Sequence, residues 1–309
     1  MPPPLTAIEL AAPFDCAQFA LGVDGTRLFT RSGHAAAGAP NHAATALFCD
    51  GIGCDGFIWK YMFEVVAREL ALTHWHYRGH GRSATPRNPE RLSIGDLADD
   101  LQCVRTQVAT GPVVLFGHSM GNQVCLEHYH RYPDSVRAMV LVCGSFGRVT
   151  QTVRNTPFLD MALPSLLSFV DKYADVVRAI WTRVPHEMAI KIALKMGDLD
   201  PDHTRMADVV PYMEHMSNVD VSMFLRMLRG AGEHSGEDYL AQIRVPVLII
   251  AGEKDTFTPA WLSESMAARI PGAELLMVPG GSHASPLEQP DLVAARLQEF
   301  LHKHRSFAG

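Results

Sequence analysis

The chain has 309 residues, a hydrophobic fraction of 47%, a charged fraction of 19% and a formal net charge of −6. That length accommodates one large α/β domain, or such a domain with a sizeable insertion, and no apolar run reaches the roughly 18 to 20 residues that span a bilayer. The acidic balance offers no general attraction for nucleic acid or for an anionic membrane, because such binding depends on Lys and Arg replacing counterions.

The opening Met1-Pro2-Pro3-Pro4-Leu5-Thr6 lacks the basic start, apolar stretch and cleavage site of a secretory signal, so a cytoplasmic location is expected. Residues 17 to 31 read as two strands turning at Asp24-Gly25, a dipeptide that accepts positive φ. Ala43 to Cys49 is a short apolar run that ends at Asp50-Gly51-Ile52-Gly53, and Phe57 to Ala71 has apolar residues at helical spacing. Leu72 to Tyr77 reads as a strand that leaves through Arg78-Gly79-His80-Gly81-Arg82-Ser83, followed by a helix over Ser93 to Thr110 with Ser93 as its cap.

Val113 to Gly117 is a third apolar strand, followed by a helix to about Tyr132 and a strand over Ala138 to Cys143. Alternation of this kind implies parallel strands joined by crossover helices. From about Gly144 to Asp238 it stops, and helices punctuated by Pro157, Pro164, Pro185, Pro201 and Pro211 are expected. It resumes with strands at Val245 to Ala251 and Glu274 to Val278, and with helices at Ala260 to Ile270 and Pro290 to His304. The expected organisation is therefore a core over 1–143 and 239–309, with a helical cap inserted over 144–238.

Gly117-His118-Ser119-Met120-Gly121 is a G-x-S-x-G pattern between a buried strand and a helix, the context in which the glycines let the chain turn sharply and lift the serine hydroxyl above the sheet. A serine hydroxyl is a weak nucleophile at neutral pH and needs a base, which in turn needs an orienting acid. Asp255 lies in the loop after the strand Val247 to Ile250, with Glu253 as the nearest alternative. Among 15 histidines, His283 alone stands in a glycine-rich loop directly after the last apolar strand. The order Ser, acid, His is the one that this strand–turn–helix arrangement requires.

No His, Cys, Asp and Glu set has the spacing of a metal site, and Gly51-Ile52-Gly53 is too short for a dinucleotide loop, so no metal or cofactor is expected. The six cysteines, Cys16, Cys49, Cys54, Cys103, Cys125 and Cys143, include no C-x-x-C pair and are expected to be buried thiols.

With these motifs the sequence resembles the α/β-hydrolase superfamily, in particular its capped esterase, lactonase and cofactor-free perhydrolase-like members. The resemblance rests on the Ser119 pentapeptide, on Arg78 to Ser83, on Ala251-Gly252-Glu253-Lys254-Asp255 and on Gly281-Ser282-His283, and it covers nearly the whole chain except the cap. It implies a mostly parallel sheet flanked by helices and an oxyanion hole formed by the backbone N–H groups of Ile52 and Met120. The chain departs from the family at Asp50, where His usually precedes the glycine, and at His76, where Asp is frequent. Haloalkane dehalogenases and epoxide hydrolases of this fold carry Asp in place of Ser119, so an acyl-enzyme is implied instead.

The cap is rich in methionine, a side chain that adapts its shape readily, and Phe146, Phe158, Met161, Trp181, Met216 and Met223 are expected to line an apolar substrate pocket. The reading that follows is a serine hydrolase acting on a small-molecule carboxylic ester or lactone. Capture of the same acyl-enzyme by an alcohol, amine or peroxide is one alternative, and a non-catalytic ligand-binding or partner-binding protein is another. The oligomeric state is left open by the sequence.

Overall fold

The computed structural model describes residues 13–36, 44–109 and 111–304. Pro2 to Pro4, Ala43 and Thr110 lie outside them. Strands β1 (Cys16–Leu21) and β2 (Arg27–Gly33) pair antiparallel through a turn in which Asp24 accepts a hydrogen bond from the Thr26 N–H and Gly25 takes φ 77°. β3 (Thr45–Cys49), a short 3-10 turn (Phe57–Trp59), α1 (Lys60–Ala67), β4 (Ala71–Trp75) and α2 (Ile94–Val104) follow. Ala71 thus begins a strand instead of ending the preceding helix. Ser93 caps α2 in a reciprocal box with Asp96, which satisfies two otherwise orphaned backbone donors. A five-residue π-helical turn (Arg105–Ala109) completes the segment that periodicity read as one helix.

β5 (Val113–His118) leads into α3 (Met120–Arg131), and β6 (Val136–Val142) closes the first half. Six helices then run before the next strand: α4 (Val149–Thr152), α5 (Phe158–Lys172), α6 (Ala174–Trp181), α7 (His186–Met196), α8 (Met206–Asn218) and α9 (Val221–Glu233). Pro157 and Pro185 stand at helix starts, whereas Pro164 and Pro211 lie inside α5 and α8 and do not separate helices. Each costs its helix one backbone hydrogen bond, a loss that packing can offset. β7 (Val247–Gly252), α10 (Ala260–Arg269), β8 (Glu274–Val278), α11 (Ser285–Glu288) and α12 (Pro290–Lys303) finish the chain.

The eight strands form one sheet in the order β1-β2-β4-β3-β5-β6-β7-β8, antiparallel at β1/β2 and β2/β4 and parallel elsewhere. Parallel strands covered on both faces read as continuous apolar runs, and β5 is buried at every position. Its side chains alternate between two cores: Val113 and Leu115 pack with α2 and α3, Val114 and Phe116 with α1 and α12. Each such aliphatic burial contributes about 1.5–3 kcal/mol, which holds the end of β5 in a fixed place.

A buried ion pair braces the next loop. Arg78, with no exposed surface, donates to both oxygens of Asp100 on α2 at 2.6 Å and to Asp24 and the Arg91 carbonyl. The helices between β6 and β7 dock on the core through α9, whose Met227 and Ala231 join the main core, and through α8, where buried Asp208 accepts from Lys60 at 2.5 Å and from Tyr61 at 2.8 Å. The Tyr212 and Phe57 rings stack 4.6 Å apart beside that pair. Among the described residues no helix is long and apolar enough to cross a membrane.

Candidate active site

Ser119 sits at the junction of β5 and α3 with φ 55° and ψ −120°, a conformation that costs a non-glycine residue on the order of 1–3 kcal/mol. The turn closes only because its neighbours lack side chains. A Cβ on Gly121 would lie 2.1 Å from the Cys49 carbonyl oxygen, and one on Gly117 would lie 2.7 Å from the Gly121 oxygen. The Ser119 N–H donates to the Val142 carbonyl at 3.0 Å, and the serine hydroxyl stands at the start of α3, where the helix dipole favours negative charge.

Asp255, in the loop after β7, is 5% exposed and saturated with donors. Its Oδ1 accepts from the N–H groups of Phe257 and Thr258, each at 2.9 Å, and its Oδ2 accepts from the Thr258 hydroxyl and from His283 Nδ1, each at 2.8 Å. An ionised carboxylate can only accept, so Nδ1 of His283 carries the proton and Nε2 is left as a base. The alternative acid, Glu253, is engaged elsewhere, accepting from the Gly280 N–H at 2.7 Å. Ser119 and His283 border one cavity, and among the described residues no hydrogen bond yet joins the serine hydroxyl to the imidazole. Such contacts commonly tighten only when substrate is bound.

Two positioning groups were not read from the sequence. Thr258 holds Asp255 and also lies 3.3 Å from His283 Nδ1; its signal is the spacing Asp-x-x-Thr, which permits a local turn closed by the carboxylate. Glu288 on α11 accepts from the Ser282 N–H at 2.9 Å and the Ser282 hydroxyl at 2.5 Å, beside His283, and also from the Asp200 N–H at 2.8 Å. His118 packs its ring 4.9 Å from that of His283, and burial together with His283 pushes it down to about 3, so it is neutral.

The loop after β3 turns Asp50 away from the serine. Trp59 Nε1 donates to Asp50 Oδ1 at 2.7 Å, and His74 Nε2 meets Oδ2 at 2.9 Å. Arg31 donates to His74 Nδ1 at 3.1 Å, which fixes the proton of this buried, neutral imidazole on Nε2 and makes it a donor to Asp50. Burial pushes the Asp50 carboxyl up to about 7 against the hydrogen bond from Trp59. Asparagine at this position would face two donors with one acceptor. We therefore expect Asp50→Asn to cost about 1–3 kcal/mol, read as a lowered urea midpoint; an unchanged midpoint would disprove the donor assignment.

Beyond Asp50, the Gly53 N–H donates to His80 Nε2 at 3.1 Å, while Ile52 makes no backbone hydrogen bond through its N–H among the described residues. Met120 is the first residue of α3, so its N–H has no intrahelical acceptor. Both residues border the cavity.

That cavity has a volume of about 430 Å³ and an almost wholly apolar wall, to which α8 gives Val209, Tyr212 and Met213 and α9 gives Phe224 and Leu228. None of the six pocket residues expected from the sequence lines it. Phe158 and Met161 are 71% and 75% exposed, Phe146 packs on the core, and the Trp181 indole donates to the Met216 carbonyl. Met216 lies against Gly53 and Met223 against Gly79. The error is rotational, since Leu159 and Phe224, adjacent to two of the expected residues, do line the wall. One step along an α-helix turns the side chain by about 100°. Among the described residues no group of three or more His, Cys, Asp or Glu side chains is placed to hold a cation.

Over residues 47–290 the chain matches the family model described as alpha/beta hydrolase fold. It is 28% identical over 266 residues to the mouse (Mus musculus) protein ABHD8, covering 82% of this chain and 54% of that protein, so the chain spans about half the length of that relative. It is 24% identical over 270 residues to a poly(3-hydroxyalkanoate) depolymerase of Ectopseudomonas oleovorans, covering 86% of this chain and 87% of that one. A thermophilic esterase from Thermogutta terrifontis superimposes with a TM-score of 0.73 at 20% identity, over 94% of this chain and 99% of the esterase. With its sheet order, its strained serine turn and a family match over most of its length, the chain belongs to the alpha/beta hydrolase fold family.

Proposed function

We propose that the protein is a serine hydrolase that cleaves a carboxylic ester or lactone with an apolar acyl or alcohol part, with helices α4–α9 acting as a cap over the site. The observation that carries this reading is the His283–Asp255 hydrogen bond of 2.8 Å at the rim of a cavity that Ser119 also borders. Ser119 Oγ attacks the carbonyl carbon while His283 Nε2 takes its proton, and Asp255 stabilises the imidazolium that forms. The tetrahedral oxyanion is held by the N–H groups of Ile52 and Met120. His283 returns the proton to the leaving oxygen, and water, activated by the same base, then releases the acid from Ser119.

Labelling with a fluorophosphonate tests this reading. One phosphonyl adduct is expected on the intact protein, mapped to the peptide containing Ser119 and slowed by His283→Ala. A protein that takes no label, or takes it on another serine, would overturn the assignment.

The cavity wall sets the size of the bound apolar group. Leu159→Trp would fill part of it, and we expect kcat/KM for long-chain p-nitrophenyl esters to fall by about tenfold with little change for the acetate, since each lost methylene contact is worth roughly 1 kcal/mol or more. Equal losses at both chain lengths would place the acyl group elsewhere.

A further inference from the structure

Helices α5 to α7 show solvent a surface that the cavity does not explain. Of the eighteen large apolar side chains exposed among the described residues, twelve lie between Phe158 and Met206. Scattered exposed apolar residues are ordinary, whereas a contiguous set marks an interaction surface. Four of this set, Val176, Ile180, Val184 and Met188, line one groove. Val176, Ile180 and Val184 recur every four residues along and just beyond α6, and Met188, Ile192 and Met196 do the same along α7, so each series forms a stripe. The α6 stripe and Met188, the first residue of the α7 stripe, line one open groove, and Phe169 of α5 packs on Tyr173 just before α6, their rings 5.0 Å apart.

The charge of this region is opposite to that of the whole chain. Between Lys172 and Met196 stand five Lys and Arg against two Asp and Glu, in a chain of formal charge −6. Lys172, Arg178, Arg183, Lys191 and Lys195 are all exposed, and among the described residues none forms an ion pair. An apolar centre with unpaired cations around it suits the headgroup region of a bilayer that carries negative lipid. A two-fold dimer through the same face would instead bring two like-charged sets together.

The surface is also well placed. Leu159 and Ala193 line the cavity while their neighbours Phe158 and Ile192 face out, so the same helices carry the cavity wall on one side and the apolar stripes on the other. Phe257, 40% exposed, borders the cavity as well, with its ring 5.2 Å from that of His283. We propose that the outer face of α5–α7 is a docking surface for an anionic lipid bilayer, from which an apolar ester enters the cavity. The docking stands apart from the proposed chemistry; only the entry of an ester rests on it.

Co-sedimentation of the full chain with vesicles of phosphatidylcholine, alone or with an equal part of phosphatidylglycerol, tests the docking, with Ser119→Ala protein alongside. Binding is expected to the mixed vesicles and to be at least about tenfold weaker to phosphatidylcholine alone. Ser119→Ala should bind like the parent, so a failure of the chemistry leaves this result untouched. Lys191→Glu with Lys195→Glu, and separately Ile180→Ser with Met188→Ser, change only exposed positions outside the cavity wall and should each release the protein. Absence of binding to both vesicles would overturn the proposal. So would a dimer in sedimentation velocity that the Ile180→Ser, Met188→Ser pair disperses while the parent ignores vesicles, because the face would then belong to a second copy.

Discussion

Ester hydrolysis by the Ser119→Ala protein is expected to run at least about four orders of magnitude below the parent in kcat, the loss typical when a nucleophile is removed from a Ser-His-Asp group and only binding and oxyanion contacts remain. His283→Ala should fall to a similar residual rate, and the double variant should be little worse than either, because the two side chains act as one proton-transfer unit. Asp255→Asn keeps the volume but offers the imidazole an amide that can favour the wrong tautomer, and the same order of loss is expected. Steady-state rates with a p-nitrophenyl ester, on variants whose circular dichroism matches the parent, provide the readout. Full parental turnover by Ser119→Ala would refute the mechanism, and simple multiplication of the two single losses in the double variant would refute the unit.

The second large effect concerns stability. Asp100→Ala removes the carboxylate that receives two donors from the fully buried Arg78, and leaves a guanidinium with only Asp24 and a carbonyl for compensation. Breaking a buried pair from one side costs about 3–5 kcal/mol, so a large drop in the urea midpoint is expected. Replacing both partners, Arg78→Met with Asp100→Leu, should be much milder, since no charge is then stranded. A single-variant loss below about 1 kcal/mol would mean that water reaches the guanidinium and that the pair is not braced as its geometry indicates.

The elements most readable in the sequence were those whose environment is uniform. β5 and β7 are buried at every position and read as unbroken apolar runs, and the glycines at 117 and 121 mark a turn that sterics alone demand. Asp255 and His283 could be picked out because each follows such a strand directly, and the structure brings them into hydrogen-bond contact. Thr258 and Glu288 escaped because a hydroxyl and a carboxylate of ordinary type acquire meaning only from what folds against them. The pocket residues escaped for a different reason: α5, α8 and α9 carry apolar side chains on more than one face, so composition alone does not tell Met223 from Phe224 or Phe158 from Leu159. At Asp50 the sequence showed a carboxylate two residues before Ile52; that His74 holds it follows from β4 lying beside β3, and that Trp59 does so follows from the 3-10 turn folding back on the loop.

Glu288 divides the helical segment into parts of unequal evolvability. One carboxylate receives donors from Ser282, beside His283, and from Asp200, while Asp198 receives the hydroxyl of Thr256, beside Asp255. Residues 198–200 are thereby bolted to the two loops that carry Asp255 and His283, and under the proposed mechanism mutational drift there would disturb turnover for every substrate at once. Among the described residues helices α5 and α7 make no hydrogen bond to the loops of Asp255 and His283, although Ile190 of α7 packs with Ala284, and Leu159 and Ala193 reach the cavity. Libraries aimed at substrate range should therefore be concentrated on 158–196, where selectivity can wander while the reacting groups stay in register.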